Sequence, residues 1–197
     1  MMEASTARVA EQATETPAPA RRPLVELLPT GRLRVGVVVA GAALVIASFV
    51  VFGASAWALI GAVLCPVLVL LAAIDVRHRL LPNAIVFPSI AVVGLILAAF
   101  DAGSFFEHLW AALALGTFLF VFAAVFPSGL GMGDAKVGFL LGLALGSKTL
   151  PAMMAAFFGV FLAALWILIR HGVSARKSTI PFGPFLALGG ILAFFFG

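Results

Sequence analysis

Charge is scarce in this chain. Only 10% of its 197 residues are Asp, Glu, Lys or Arg, against about a quarter in a soluble domain. Cysteine is reduced to Cys65, which excludes an internal disulfide or a Cys-rich zinc site and reads as a small apolar filler within a helix. Tyrosine is absent altogether. No apolar segment follows closely on the start, so a secretory signal is not expected. The strict alternation of a membrane β-barrel is missing too. What fills the chain is hydrophobic: 63% of residues, with a mean hydropathy of +1.22. This composition predicts an all-α polytopic membrane protein with no soluble domain. The net charge of +4 does not point to nucleic acid, because the basic residues are scattered among apolar runs.

Residues 1–34 are polar and Pro/Ala-rich, with five arginines and four glutamates, and are expected to form a disordered cytoplasmic tail. Residues 35–197 are expected to form the transmembrane domain. A spanning helix needs about 20 apolar residues. The runs are Val35–Phe52, Ser55–Ile74, Ala84–Phe100, His108–Phe126, Ala135–Ser147, Leu150–Ile169 and Ile180–Phe196. They predict six to seven spans, the fifth being too short by itself. Pro181 and Pro184 fall in the first turn of the last, where proline is tolerated.

Positive charge orients the chain. With the tail in the cytoplasm, Arg21, Arg22, Arg32, Arg34, Arg77, Arg79, Lys136, Arg170, Arg176 and Lys177 fall on that side and only Lys148 falls outside. The C-terminus is then extracytoplasmic, and the cell membrane is the expected location. Trp57, Trp110 and Trp166 lie toward span ends, as interfacial anchors do.

Two carboxylates adjoin spans on the cytoplasmic side. Asp75 closes the second span in "AAIDVRHRLLPN", and Asp134 opens the fifth in "GLGMGDAK". An ionisable group at membrane depth is a functional candidate, although aspartate at a helix start also reads as a cap. Two facing carboxyl groups cannot both ionise easily, so one holds a proton near neutral pH. Such a pair activates a water with one member and protonates a leaving amine with the other. The helix dipole favours an anion at an N-terminus and disfavours one at a C-terminus. Asp134 is therefore expected to be the ionised base and Asp75 the proton holder. Gly129, Gly131 and Gly133 are expected to permit positive φ and close backbone approach beside the acid.

With these stretches in view, the sequence resembles the type IV prepilin peptidases, membrane aspartic proteases of the GxGD kind. "DVRHRLLPN" carries Asp75, Arg77, Pro82 and Asn83 in the places of the first motif. "GMGDAK" carries Gly131, Gly133, Asp134 and Lys136 in the places of the second. "IPFGPFLALGG" matches the last span with Pro181, Phe182, Gly183, Pro184 and Gly189. The likeness covers about residues 55–197. It implies that Asp75 and Asp134 are catalytic, and that a short basic leader is cut from pilin-like precursors at the cytoplasmic membrane face. It implies no metal and no cofactor. No CxxC pair precedes the match, so cleavage without N-methylation is expected, as in short peptidase-only forms.

Lys136 either biases Asp134 or holds a substrate carbonyl, or else snorkels to lipid phosphate. Arg77 and Arg79 read chiefly as topology and lipid anchors, and Asn83 after Pro82 as a turn or cap. His78, His108 and His171 lack ligand spacing. The rival function is a transporter or proton-relay subunit using the two aspartates, but both acids lie on one side rather than along a path. The presenilin type of GxGD protease is disfavoured by the lack of Tyr-Asp and Pro-Ala-Leu. A membrane scaffold leaves the acids unexplained.

Overall fold

A computed structural model describes residues 23–126, 130–171 and 181–197. Most of the expected tail lies outside them, as do Gly129, Arg176, Lys177 and Ile180. After one helical turn at Leu24–Leu27, seven helices follow: α1 Gly31–Phe52, α2 Ala56–His78, α3 Asn83–Phe100, α4 Phe105–Val125, α5 Met132–Leu145, α6 Thr149–His171 and α7 Gly183–Phe196. The protein is an all-α polytopic membrane protein. α1 to α4 run 18 to 23 residues with mean hydropathies of 2.0 to 2.7, enough to cross a bilayer. Val50, Leu95, Trp110 and Ile169 stand exposed on outer faces, as expected of helices that are apolar all round and bathed in lipid.

Short connections make hairpins of α1 with α2 and of α2 with α3. Ser55 starts α2 by accepting the Ala58 N–H at 3.2 Å. Arg79 ends it in the left-handed region at φ 51°, returning its N–H to the Asp75 carbonyl. Pro82 then caps α3 at φ −69°, the angle its ring prefers.

The apolar stretch from Met132 to Arg170 is 39 residues long, yet it folds back on itself. Gly146 takes φ +55°, and a 3₁₀ turn at Gly146–Lys148 follows. Before the turn, Gly142 lies against Ala111 and Ala112 of α4. After it, Ala152 and Ala156 lie against Gly189, and Phe157 meets Phe182. As residue numbers rise along α6 they fall along α7, back toward the end from which α5 set out. The seven helices among the described residues therefore alternate in direction.

Lipid tails are as apolar as leucine, so hydrophobicity does not hold these helices together. Close van der Waals contact through small residues does. Gly138 and Gly142, one turn apart, seat α5 on α4: a Cβ on Gly142 would lie 2.5 Å from the Ala111 carbonyl oxygen and the Ala112 Cα. At the far end of this pair, His108 is buried and its Nδ1 donates to the Leu143 carbonyl at 2.8 Å. Trp57 lies beside His108 and carries Lys148 over its ring at 4.8 Å. The one cation assigned to the outside thus sits at the opposite end of the bundle from Asp75.

Candidate active site

Three helices converge on Gly190. A Cβ there would lie 2.4 Å from Leu141 Cδ2 of α5 and 3.1 Å from Leu68 Cδ1 of α2. Seven residues along a helix make nearly two turns, about 10.5 Å, and return to the same face. Counting seven toward one common end leads from Leu68 to Asp75, from Leu141 to Asp134, and from Gly190 to Gly183. The spacing of ordinary packing residues thus delivers both acids and a helix N-terminus to one level.

Each carboxylate is buried, Asp75 to 7% exposure and Asp134 to 6%. Asp75 lies in the last turn of α2, and its Oδ2 accepts the Gly183 N–H at 3.1 Å. That N–H is one of the donors left unpaired at the start of α7. The fit is tight: a Cβ on Gly183 would lie 2.6 Å from the same oxygen. Asp134 is the third residue of α5, and its Oδ2 accepts the Gly131 N–H at 3.0 Å. In return the Asp134 N–H donates to the Gly131 carbonyl. The capping role foreseen as the plain alternative is therefore real, but it occupies one oxygen only. Asp134 Oδ1 is buried and has no hydrogen-bond partner among the described residues. The two carboxyl groups thus share one end of the bundle, Asp75 against the start of α7 and Asp134 in the first turn of α5.

Helix length sets the depth of the pair. α5 and α7 have 14 residues each, about 21 Å at 1.5 Å per residue, against a hydrocarbon core of about 30 Å. Helices this short that reach one boundary begin about 9 Å inside the other. Asp134 belongs to the first turn of one such helix, and Asp75 is held by the first residue of the other. Both acids therefore lie where these short helices begin.

The remaining predicted residues divide. Gly133 belongs with the pair: a Cβ there would lie 2.9 Å from Leu81 Cβ, so the chain linking α2 to α3 can press on the start of α5. Lys136 and Asn83 meet, with Nζ donating to Oδ1 at 2.7 Å, and Lys136 also lies over the Phe87 ring at 5.4 Å. Pro82 aims that segment. Arg77 is not brought to the acids: it is exposed, and donates to Thr30 Oγ1 at 3.4 Å. Positive φ is not what Gly131 and Gly133 supply, and Gly129 lies outside the described residues. Gly131 sits at φ −83° and Gly133 is helical, because the Asp134 side chain itself caps the turn. Gly183 had no chemical role in the sequence reading. A backbone donor has no side-chain signature, and Pro184 marked only a helix start.

Paired buried carboxyls at one end of a helical membrane bundle define a class of site before any relative is consulted. Comparison with known proteins then gives the family. Residues 62–168 match the Type IV leader peptidase family, and the chain belongs to it. A prepilin leader peptidase/N-methyltransferase of Bacillus subtilis is 35% identical over 151 residues, covering 74% of this chain and 59% of its own. One of Burkholderia pseudomallei is 33% identical over 195 residues, covering 92% of this chain and 57% of its own. The chain thus spans a little under three fifths of those relatives' length. No solved structure matches it.

Proposed function

We propose that this protein is an aspartic endopeptidase that removes the short basic leader from pilin-like precursors, with Asp75 and Asp134 as its catalytic pair. The observation that carries the reading is the Asp134 carboxylate: buried at the same end of the bundle as Asp75, secured through one oxygen, and left with the other unpartnered among the described residues. In the proposed cycle, ionised Asp134 takes a proton from a water held between the carboxyls. The oxygen of that water attacks the scissile carbonyl, and protonated Asp75 stabilises the developing oxyanion by hydrogen bonding. When the tetrahedral species breaks, Asp75 gives its proton to the leaving nitrogen as the C–N bond opens, and Asp134 keeps the proton taken from water. The pair has then exchanged which member holds the remaining proton, and the two titrations belong to the pair rather than to either acid.

The acids lie at the end that carries Arg77, Arg79 and Lys136, while Lys148 lies at the other, which supports a cytoplasmic site, a cytoplasmic N-terminus and an extracytoplasmic C-terminus in the cell membrane. The curated relatives carry a methyltransferase in their names as well. We assign leader cleavage alone to these 197 residues, since the one cysteine, Cys65, is buried within α2 and no CxxC pair is present.

Co-expression with pilin-like precursors, scored by a size shift on gels and by mass of the new N-terminus, tests this. The mature product should appear unmethylated, and Asp75→Ala and Asp134→Ala should each abolish it while the protein still inserts. Unchanged processing by either variant would sink the reading. Proton flux into liposomes, lost in Asp134→Asn with no precursor cleaved, would point to the transporter instead.

A further inference from the structure

Two grooves open the bundle to lipid, and they differ in what they reach. One, of about 1030 Å³, lies between α4 and α6 and runs from Gly146 and Thr149 to Phe161. Its polar end is the end away from Asp134. The other, of about 510 Å³, lies between α3 and α4. Those two helices barely touch, although each packs on α5. The floor is therefore α5 itself, and includes Ala135 and Phe139. Gly116 keeps the cleft deep, since a Cβ there would lie 3.1 Å from Phe139 Cβ. Met132 and Lys136 stand where the groove meets the acid end.

We propose that this second groove seats the first turns of the precursor's own apolar helix, and that Lys136 holds a backbone carbonyl at the head of that helix. The inference rests on the peptidase reading and adds the place where the substrate lies. Three observations single out this occupant. The groove reaches the level of the catalytic turn: Ala135 and Lys136 follow Asp134 directly, so whatever fills the groove ends at the depth of the carboxylate, which lies around α5 from the groove face. The walls are apolar and exposed, with Phe87, Phe120 and Met132 each about half accessible, which suits a helix ridge and not a polar ligand. The single cation is at the acid end and is hydrogen-bonded to Asn83 Oδ1, a neutral acceptor that a substrate carbonyl can replace without stranding a charge. A helix in this position presents its cytoplasmic end, the end from which a leader must be cut, at the level of the acids.

Crosslinking tests the placement. In an Asp134→Asn, Cys65→Ser enzyme, Thr117→Cys puts a thiol in this groove and Ala114→Cys puts one in the other. A precursor with one cysteine in the first two turns of its apolar helix should form a disulfide with the former and not the latter. In the otherwise unaltered enzyme, Thr117→Trp should raise KM about tenfold and leave kcat largely in place, while Ala114→Trp should change neither. Both positions are exposed, so the larger side chain meets lipid rather than core. Equal crosslinking at both sites, crosslinking at 114 alone, or a Thr117→Trp enzyme with unchanged KM would overturn the proposal and assign the groove to lipid. Crosslinking at 117 with no cleavage by the unmodified protein would instead sink the peptidase reading and leave the groove standing.

Discussion

Asp75 Oδ2 accepts the backbone N–H of Gly183, a residue 108 positions later, at 3.1 Å. The bond fixes an acid at the end of α2 by the start of α7, and it leaves no room for a side chain at the donor. Adding one methyl in Gly183→Ala puts a carbon 2.6 Å from the carboxylate oxygen, so the carboxyl must swing away. Displacement of a reacting group by about 1 Å can cost about a hundredfold in rate. Gly183→Ala should therefore lower kcat by about that factor with KM little changed, in a protein that still inserts. Single-turnover cleavage in detergent or vesicles checks this; wild-type kcat would mean that Asp75 is not held for chemistry.

Asp134 caps α5 through one oxygen and, in the proposed function, works through the other, and substitution can separate the two roles. Asparagine keeps an oxygen to accept the Gly131 N–H, whereas alanine removes the cap as well. Asp134→Asn should be inactive with a thermal midpoint near that of the native protein. Asp134→Ala should be equally inactive and less stable by about 1 kcal/mol. Equal Tm values for the two variants would show that the capping bond contributes little.

The α4–α5 seam makes a prediction about folding rather than chemistry. All three atoms nearest a Cβ at Gly142 are backbone atoms of Ala111 and Ala112, which cannot turn aside as a side chain would. Even Gly142→Ala must push the helices apart, at a cost of about 1–3 kcal/mol. Because α5 carries Asp134, activity should fall along with Tm. Thermal unfolding of the detergent-solubilised variant measures the first effect, and cleavage the second.

Much of this was legible in the chain, and for a physical reason. Membranes punish charge, so Asp75 and Asp134 stand out against apolar runs, and arginine placement put them on one side before any contact was known. The fifth span was visibly short, and α5 at Met132–Leu145 is short. Boundaries were less exact: α4 starts at Phe105, three residues before the expected His108, because an interfacial turn of phenylalanine and glutamate does not look like hydrocarbon core. The Gly183 donor was not visible, since any residue but proline carries an N–H. Of the two properties expected of the glycines, positive φ and close approach, the described ones show the second. At Gly133, Gly183 and Gly190 what counts is the missing Cβ, and that depends on which helix lies opposite, which one-dimensional spacing does not state.

The same geometry predicts a pH profile whose shape can be derived from charge alone. One carboxyl must be ionised to take a proton from water, and its partner must be protonated to support the oxyanion and leaving nitrogen. Acidification protonates the base and stops the first transfer; alkalinisation removes the remaining proton and stops the second. Cleavage by the native protein should pass through a maximum and fall on both sides, as the pair titrates in two steps. Gly183→Ala removes no titrating group, so its lower rate should still rise and fall with pH, although the limbs will move if the Asp75 bond contributes to either step. Native kcat/KM that climbs to a plateau and stays there on the alkaline side would mean that only one acid is used as a carboxylate, and the paired mechanism would have to be abandoned.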